Sequence, residues 1–199
     1  MISSATLDTT QTAGLSLKRW TLDEYHKLIV LGLLTPEASV ELINGQIIEM
    51  VPQQPPHAAT TDEGGDYLKA LFSGKAKVRV QLPVTLPPDS EPDPDFAIVK
   101  IDENFYCDRH PNPSDIHLII EVADSTLQKD RQYKSQLYAQ AGIPEYWIIN
   151  LKQHQVIVYR EVQNGAYQLE ETFEATDQVQ PLAFPELTVE LKRLLILTR

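Results

Sequence analysis

One segment, residues 116–150, constrains the fold of this 199-residue chain more than any other. Residues 116–122 form a nearly unbroken apolar run, which is typical of a strand buried on both faces. Residues 126–141 follow with helical periodicity that stops at Gly142, and residues 145–150 form another apolar strand. Because consecutive strand–helix–strand units pair in parallel with a right-handed crossover, we expect the two strands to be parallel neighbours.

The rest of the chain supplies further helices and strands around that unit. Thr21 and Glu24 form a capping box, and Asn44-Gly45 between two apolar runs is a strong hairpin signal. The remaining patterns predict a helix at 57–72 and strands at 78–86 (interrupted by Pro83), 95–99, 155–160 and 167–173. This order predicts an α/β protein with a central mixed β-sheet flanked by helices.

The length is that of a single domain, and we expect residues 16–199 to form it behind a flexible polar tail, residues 1–15. No apolar run reaches the ~18 residues of a membrane helix, and the N-terminus lacks an apolar signal core. Together with a lone cysteine, Cys107, this favours a cytoplasmic protein without a membrane partner.

Two carboxylates stand at strand ends. Asp95 opens a strand after a proline, and Glu121 lies near the end of the most apolar strand. If these strands pair antiparallel, both carboxylates come together, and burial would raise the pKa of each. A Mg²⁺ ion (or Mn²⁺) relieves that repulsion and accepts two carboxylates plus a main-chain carbonyl, here that of Val122. The alternative is that Glu121 is an ordinary exposed or salt-bridged strand-end residue.

Residues 94–99 and 117–148 resemble the Uma-type family of restriction-endonuclease-like proteins, a branch of the PD-(D/E)XK nuclease superfamily. Residues 41–50 look like the entry hairpin of that family. The resemblance implies a restriction-endonuclease-like core, with Asp95 and Glu121 as catalytic metal ligands.

The sequence departs from the superfamily motif at the lysine. The motif places it two residues after the glutamate, where this chain has Ala123. The resemblance implies that Lys134, on the following helix, takes its place as the catalytic lysine. Asp130, four residues earlier, would orient Lys134, unless the two form an ordinary surface ion pair worth ~0.3–0.5 kcal/mol.

Other candidates have weaker signals. Glu41 and Gln81 are candidate supporting groups near the metal, with a purely structural role as the alternative for each. His57 is a candidate helix cap, and Tyr138 a candidate core residue.

These features predict a Mg²⁺-dependent endonuclease that hydrolyses phosphodiester bonds in nucleic acid, with DNA expected as the substrate, and a homodimer that cuts both strands. The formal net charge of −11 is unusual for a nucleic-acid-binding protein. It favours the alternative, a non-catalytic interaction or nucleic-acid-binding domain with a nuclease fold. The sequence leaves open the target sequence, the strand preference and the choice between DNA and RNA.

Overall fold

The computed structural model describes residues 16–196, so the predicted tail and the last three residues lie outside the description. Within these residues, three helices are longer than one turn: α1 (Leu22–Val30), α2 (Pro55–Leu71) and α3. Helix α3 comprises an α-helical turn (Leu127–Lys129), a π-helical turn (Asp130–Lys134) and a second α-helical part (Ser135–Gln140). The strands are β1 (Val40–Ile43), β2 (Gln46–Glu49), β3 (Lys77–Val80), β4 (Phe96–Val99), β5 (Ile116–Ala123), β6 (Tyr146–Asn150), β7 (Gln155–Gln163), β8 (Ala166–Glu174), β9 (Gln178–Val179) and β10 (Val189–Glu190).

A six-stranded mixed sheet forms the centre of the fold, in the order β3-β4-β5-β6-β7-β8. Neighbouring strands are antiparallel except β5 and β6, which pair in parallel. This confirms both the mixed sheet and the parallel pair expected from the apolar run and its crossover helix. Among residues 16–196, no helix combines the length and apolar character that crossing a bilayer requires.

Each face of the sheet is covered by one long helix. Phe96, Ile98 and Ile120 pack into one core with Leu68 of α2. Buried side chains near the end of the described chain complete this core: Leu191, Leu194 and Leu195.

The opposite face packs against α3. Ala97, Ile119 and Ala123 share a second core with Leu137 and Tyr138 of that helix. Alternate residues of β4 and β5 therefore point to α2 or to α3, as the two-residue period of a strand requires.

Helix α1 and the β1–β2 hairpin match the sequence prediction. Thr21 and Glu24 form the reciprocal capping bonds at the start of α1. Strands β1 and β2 form the Asn44-Gly45 hairpin, and Glu91 N–H donates to the Leu42 carbonyl at 2.7 Å. The hairpin is thus fixed to the loop that leads into β4.

One predicted strand is shorter in the structure. The strand predicted at 78–86 ends at Val80, because Gln81 adopts a left-handed backbone conformation (φ 50°) that turns the chain away. The helix predicted from 126 is present as α3, and the Thr126 side chain makes no capping bond to the backbone. The Thr126 hydroxyl instead donates to Asp130 Oδ2 at 2.6 Å.

Candidate functional site

Asp95 and Glu121 meet where β4 and β5 diverge. The last paired residues are Phe96 and Ile120, so one step further along both strands lie Asp95 and Glu121. Residues two apart in a strand share a face, which puts both carboxylates on the α3 side of the sheet with Ala97. Both line one cavity of about 310 Å³.

Three donors hold the Asp95 carboxylate. The Val122 N–H donates to Oδ2 at 2.8 Å, and His57 Nε2 lies 3.2 Å from the same oxygen. Gln81 Nε2 donates to Oδ1 at 3.1 Å. Burial opposes ionisation, but the hydrogen bond and charge of His57, followed by the Val122 amide, lower the pKa of Asp95. Asp95 is therefore an ionised carboxylate that is held in one orientation.

The Glu121 carboxylate has one occupied and one open oxygen. Oε1 accepts a bond from Lys134 Nζ at 2.8 Å and one from the Tyr138 hydroxyl at 2.7 Å. Residues 16–196 donate no hydrogen bond to Oε2. Burial raises the pKa of Glu121 to about 8 despite the nearby Lys134 ammonium, and the Asp95 carboxylate adds to the rise. A second cation at this position would favour the ionised form of Glu121.

Lys134 points inward from α3. Only 11% of its side chain is exposed, and although burial disfavours its charge, the Glu121, Glu41 and Asp130 carboxylates raise the pKa of Lys134. Lys134 therefore remains an ammonium ion. Asp130 lines the same cavity but is bonded to Thr126, so the predicted pairing of Asp130 with Lys134 is not formed.

Both lysines of the site come from α3, which contains the π-helical turn. In that turn Ser135 N–H donates to the carbonyl of Asp130, five residues earlier. Lys129, Asp130 and Lys134 all line the cavity. Lys129 Nζ lies 3.3 Å from Glu41 Oε1, so both lysines face carboxylates of the cavity.

Glu41 and Gln81 both reach the site. Glu41 is buried on β1 and lines the cavity opposite Lys129, whereas Gln81 contacts Asp95 directly. The left-handed conformation that ends β3 at Gln81 thus also brings its side chain to the carboxylate.

Sequence reasoning missed three residues of the site. His57 is not a helix cap, because α2 begins at Pro55, and its ring contacts Asp95. Tyr138 is a core residue, as predicted, but its hydroxyl also binds Glu121. Asp93 lines the cavity, and burial, with the Glu41 and Glu91 carboxylates, raises the pKa of Asp93 to about 6. No sequence signal marks these roles, which depend on how distant elements pack.

The donor set fits an oxygen-ligated divalent cation. Residues 16–196 contain no group of three or more His, Cys, Asp or Glu side chains arranged to hold a metal. The oxygen donors of the site are therefore two carboxylates, those of Asp95 and Glu121, and the Val122 main-chain carbonyl. So small a set suits Mg²⁺, because this ion fills the rest of its coordination shell with water. The cavity lining is also rich in negative charge, with five carboxylates against two lysines: Glu41, Asp93, Asp95, Glu121 and Asp130 against Lys129 and Lys134.

Comparison with known proteins agrees with this architecture. The model of the Uma2 family, described as "Putative restriction endonuclease", matches residues 22–192. Among solved structures, the fold is similar to that of "a putative nuclease belonging to DUF820" from Anabaena variabilis ATCC 29413. The two chains are 23% identical with a TM-score of 0.69, covering 88% of this chain and 97% of the other. No curated protein matches this chain.

Proposed function

Because the chain belongs to the Uma2 family, we propose that it is a metal-dependent endonuclease that hydrolyses phosphodiester bonds, with DNA as its substrate. One observation carries the proposal: Asp95 and Glu121 line a single cavity, and the Lys134 ammonium lies against Glu121. Paired carboxylates with a buried cation beside them are an arrangement suited to a phosphate ester.

Asp95, Glu121 and the Val122 carbonyl would hold Mg²⁺ or Mn²⁺. Such an ion, when bound, polarises the phosphodiester and lowers the pKa of water. His57 and Gln81 act as positioning residues, because both fix the orientation of the Asp95 carboxylate.

Lys134 supplies positive charge and does not abstract a proton. Its pKa is raised by the surrounding carboxylates, so it has no free pair of electrons to accept a proton at neutral pH. A fixed ammonium in a water-poor site stabilises charge that develops on a phosphate oxygen. This is the role we assign to it.

A non-catalytic interaction domain is the second candidate. The excess of carboxylates over lysines in the cavity favours it, since without a cation this lining repels a phosphate. The two candidates differ in what a divalent ion does: the enzyme requires it for turnover, and the interaction domain shows no turnover with it.

A cleavage assay separates the candidates. Plasmid, single-stranded DNA and RNA are incubated with Mg²⁺, Mn²⁺ or a chelator, using Asp95→Asn as the inactive variant. Asp66→Asn is the matched control, because Asp66 is exposed on α2. We expect metal-dependent cleavage of DNA by the wild type and by Asp66→Asn only. Absence of cleavage under all conditions would favour the interaction domain.

Direct metal binding is a separate test. Mg²⁺ completes its shell with waters and substrate phosphates, so calorimetry should show modest affinity that Glu121→Gln reduces. Tight binding that survives Glu121→Gln would place the ion elsewhere.

We also propose a homodimer, since two-fold symmetry would present two sites to the two strands of a duplex. Light scattering during size-exclusion chromatography should give twice the 22.5 kDa chain mass. A monomeric mass at the concentration used for cleavage would contradict this.

A further inference from the structure

A second cavity adjoins the one that holds Asp95 and Glu121. It has a volume of about 330 Å³ and lies between the β1–β2 hairpin and the π-helical turn of α3. Glu41, Lys129 and Lys134 line both cavities. A molecule bound at the Lys134 ammonium can therefore extend into the second cavity.

The walls of this cavity suit a flat ring. Ile43 and Ile48 line it from the hairpin, and Tyr133 lines it from α3. The exposed fraction of Tyr133 is 56%, whereas the other aromatic side chain of α3, Tyr138, is buried. An exposed tyrosine beside aliphatic side chains provides a stacking surface for a nucleobase.

The polar side chains of the cavity suit the edge of a base. Asn44 and Gln46 line it, and their side-chain amides form no hydrogen bond with any other residue of 16–196. Each amide offers both a donor and an acceptor, the combination with which Asn and Gln recognise base edges. Lys129 adds a positive charge between this cavity and the first.

We infer that the second cavity is a nucleoside subsite, which takes one base next to the phosphate bound at Lys134. The inference rests on the proposed nuclease function and specifies its substrate. A base can enter a pocket only when it leaves the duplex stack. The volume is at the small end of ligand sites, ~300–1,000 Å³, and fits one base rather than several. The substrate class is therefore single-stranded or locally unpaired nucleic acid.

The test uses single-stranded DNA that contains 2-aminopurine, whose fluorescence falls when the base stacks, and an unlabelled duplex of the same sequence. Binding is measured by fluorescence with Ca²⁺ in place of Mg²⁺, and cleavage is measured with Mg²⁺. Tyr133→Ala removes the ring and Tyr133→Phe retains it. Phe105→Ala is the matched control, because Phe105 is 82% exposed and lines neither cavity.

We expect the wild type, Tyr133→Phe and Phe105→Ala to quench the fluorescence and to cleave the single strand faster than the duplex. Tyr133→Ala should lose the quenching and raise KM for the single strand roughly fivefold or more, with kcat changed much less. If the wild type cleaves DNA and Tyr133→Ala quenches the fluorescence as well as the wild type does, the subsite is overturned but the nuclease function stands. Quenching that depends on Tyr133 without any cleavage would support the subsite and overturn the nuclease function. No quenching and no cleavage would overturn both.

Discussion

The ammonium of Lys134 lies 2.8 Å from Oε1 of Glu121, although the two residues are 13 positions apart. Glu121 is near the end of β5, and Lys134 is in the π-helical turn of the crossover helix that follows it. Both side chains are buried. An exposed lysine could be removed with little effect on stability, but removal of a buried lysine leaves an oxygen of Glu121 without its donor.

Lys134→Met should abolish cleavage and also destabilise the fold by ~1–3 kcal/mol, because it removes the donor to a buried oxygen of Glu121. Urea denaturation measures the free energy of unfolding, and a plasmid assay measures cleavage. Lys69→Met is the control, since Lys69 pairs with Asp66 on the surface and its loss should cost under ~1 kcal/mol. Equal stability of the two variants would contradict the burial of Lys134.

His57→Gln should weaken divalent-ion binding by ~10–100-fold, the usual effect of removing a residue that orients a metal ligand. The reason is the 3.2 Å contact between His57 Nε2 and Asp95 Oδ2. Calorimetry with Mn²⁺ gives the affinity, and His154→Asn, in the exposed turn before β7, is the control. If both variants bind the ion like the wild type, His57 does not position Asp95.

Tyr138→Phe should lower the free energy of unfolding by ~0.5–1.5 kcal/mol, the range for a typical intramolecular hydrogen bond. Tyr138 is fully buried and its hydroxyl donates to Glu121 Oε1 at 2.7 Å, so the substitution removes the bond without changing the ring. Thermal and denaturant unfolding measure the loss. Tyr133→Phe should leave stability unchanged, because Tyr133 is 56% exposed. If Tyr138→Phe is as stable as Tyr133→Phe, the hydrogen bond from Tyr138 to Glu121 contributes little to the stability of the fold.

Asp115 should contribute to the acid sensitivity of the fold. Burial opposes ionisation, but the hydrogen bond from Arg109 and the Asn112 amide lower the pKa of Asp115. A lowered folded-state pKa gives stability that is complete above the unfolded value of ~3.9 and is lost as pH falls through the folded value. Asp115→Asn should therefore be less stable than the wild type at pH 7, with the difference shrinking toward pH 2. A difference that is constant with pH would exclude this role.

Local sequence patterns were sufficient to predict the framework of the fold. The apolar run of β5, the Asn44-Gly45 turn and the capping box of α1 each involve residues close in the chain. The meeting of Asp95 with Glu121 also follows from sequence, because one loop joins two adjacent strands and the antiparallel register then fixes which ends lie together.

The tertiary structure alone decided how the two carboxylates are supported. His57 reaches Asp95 because α2 packs on the sheet, and Tyr138 reaches Glu121 because α3 packs on the other face. Asp130 and Lys134 are four residues apart on α3 and line the same cavity, yet Lys134 bonds to Glu121 and Asp130 bonds to Thr126. Sequence patterns relate residues that are near in the chain, whereas contacts between distant elements depend on how those elements pack.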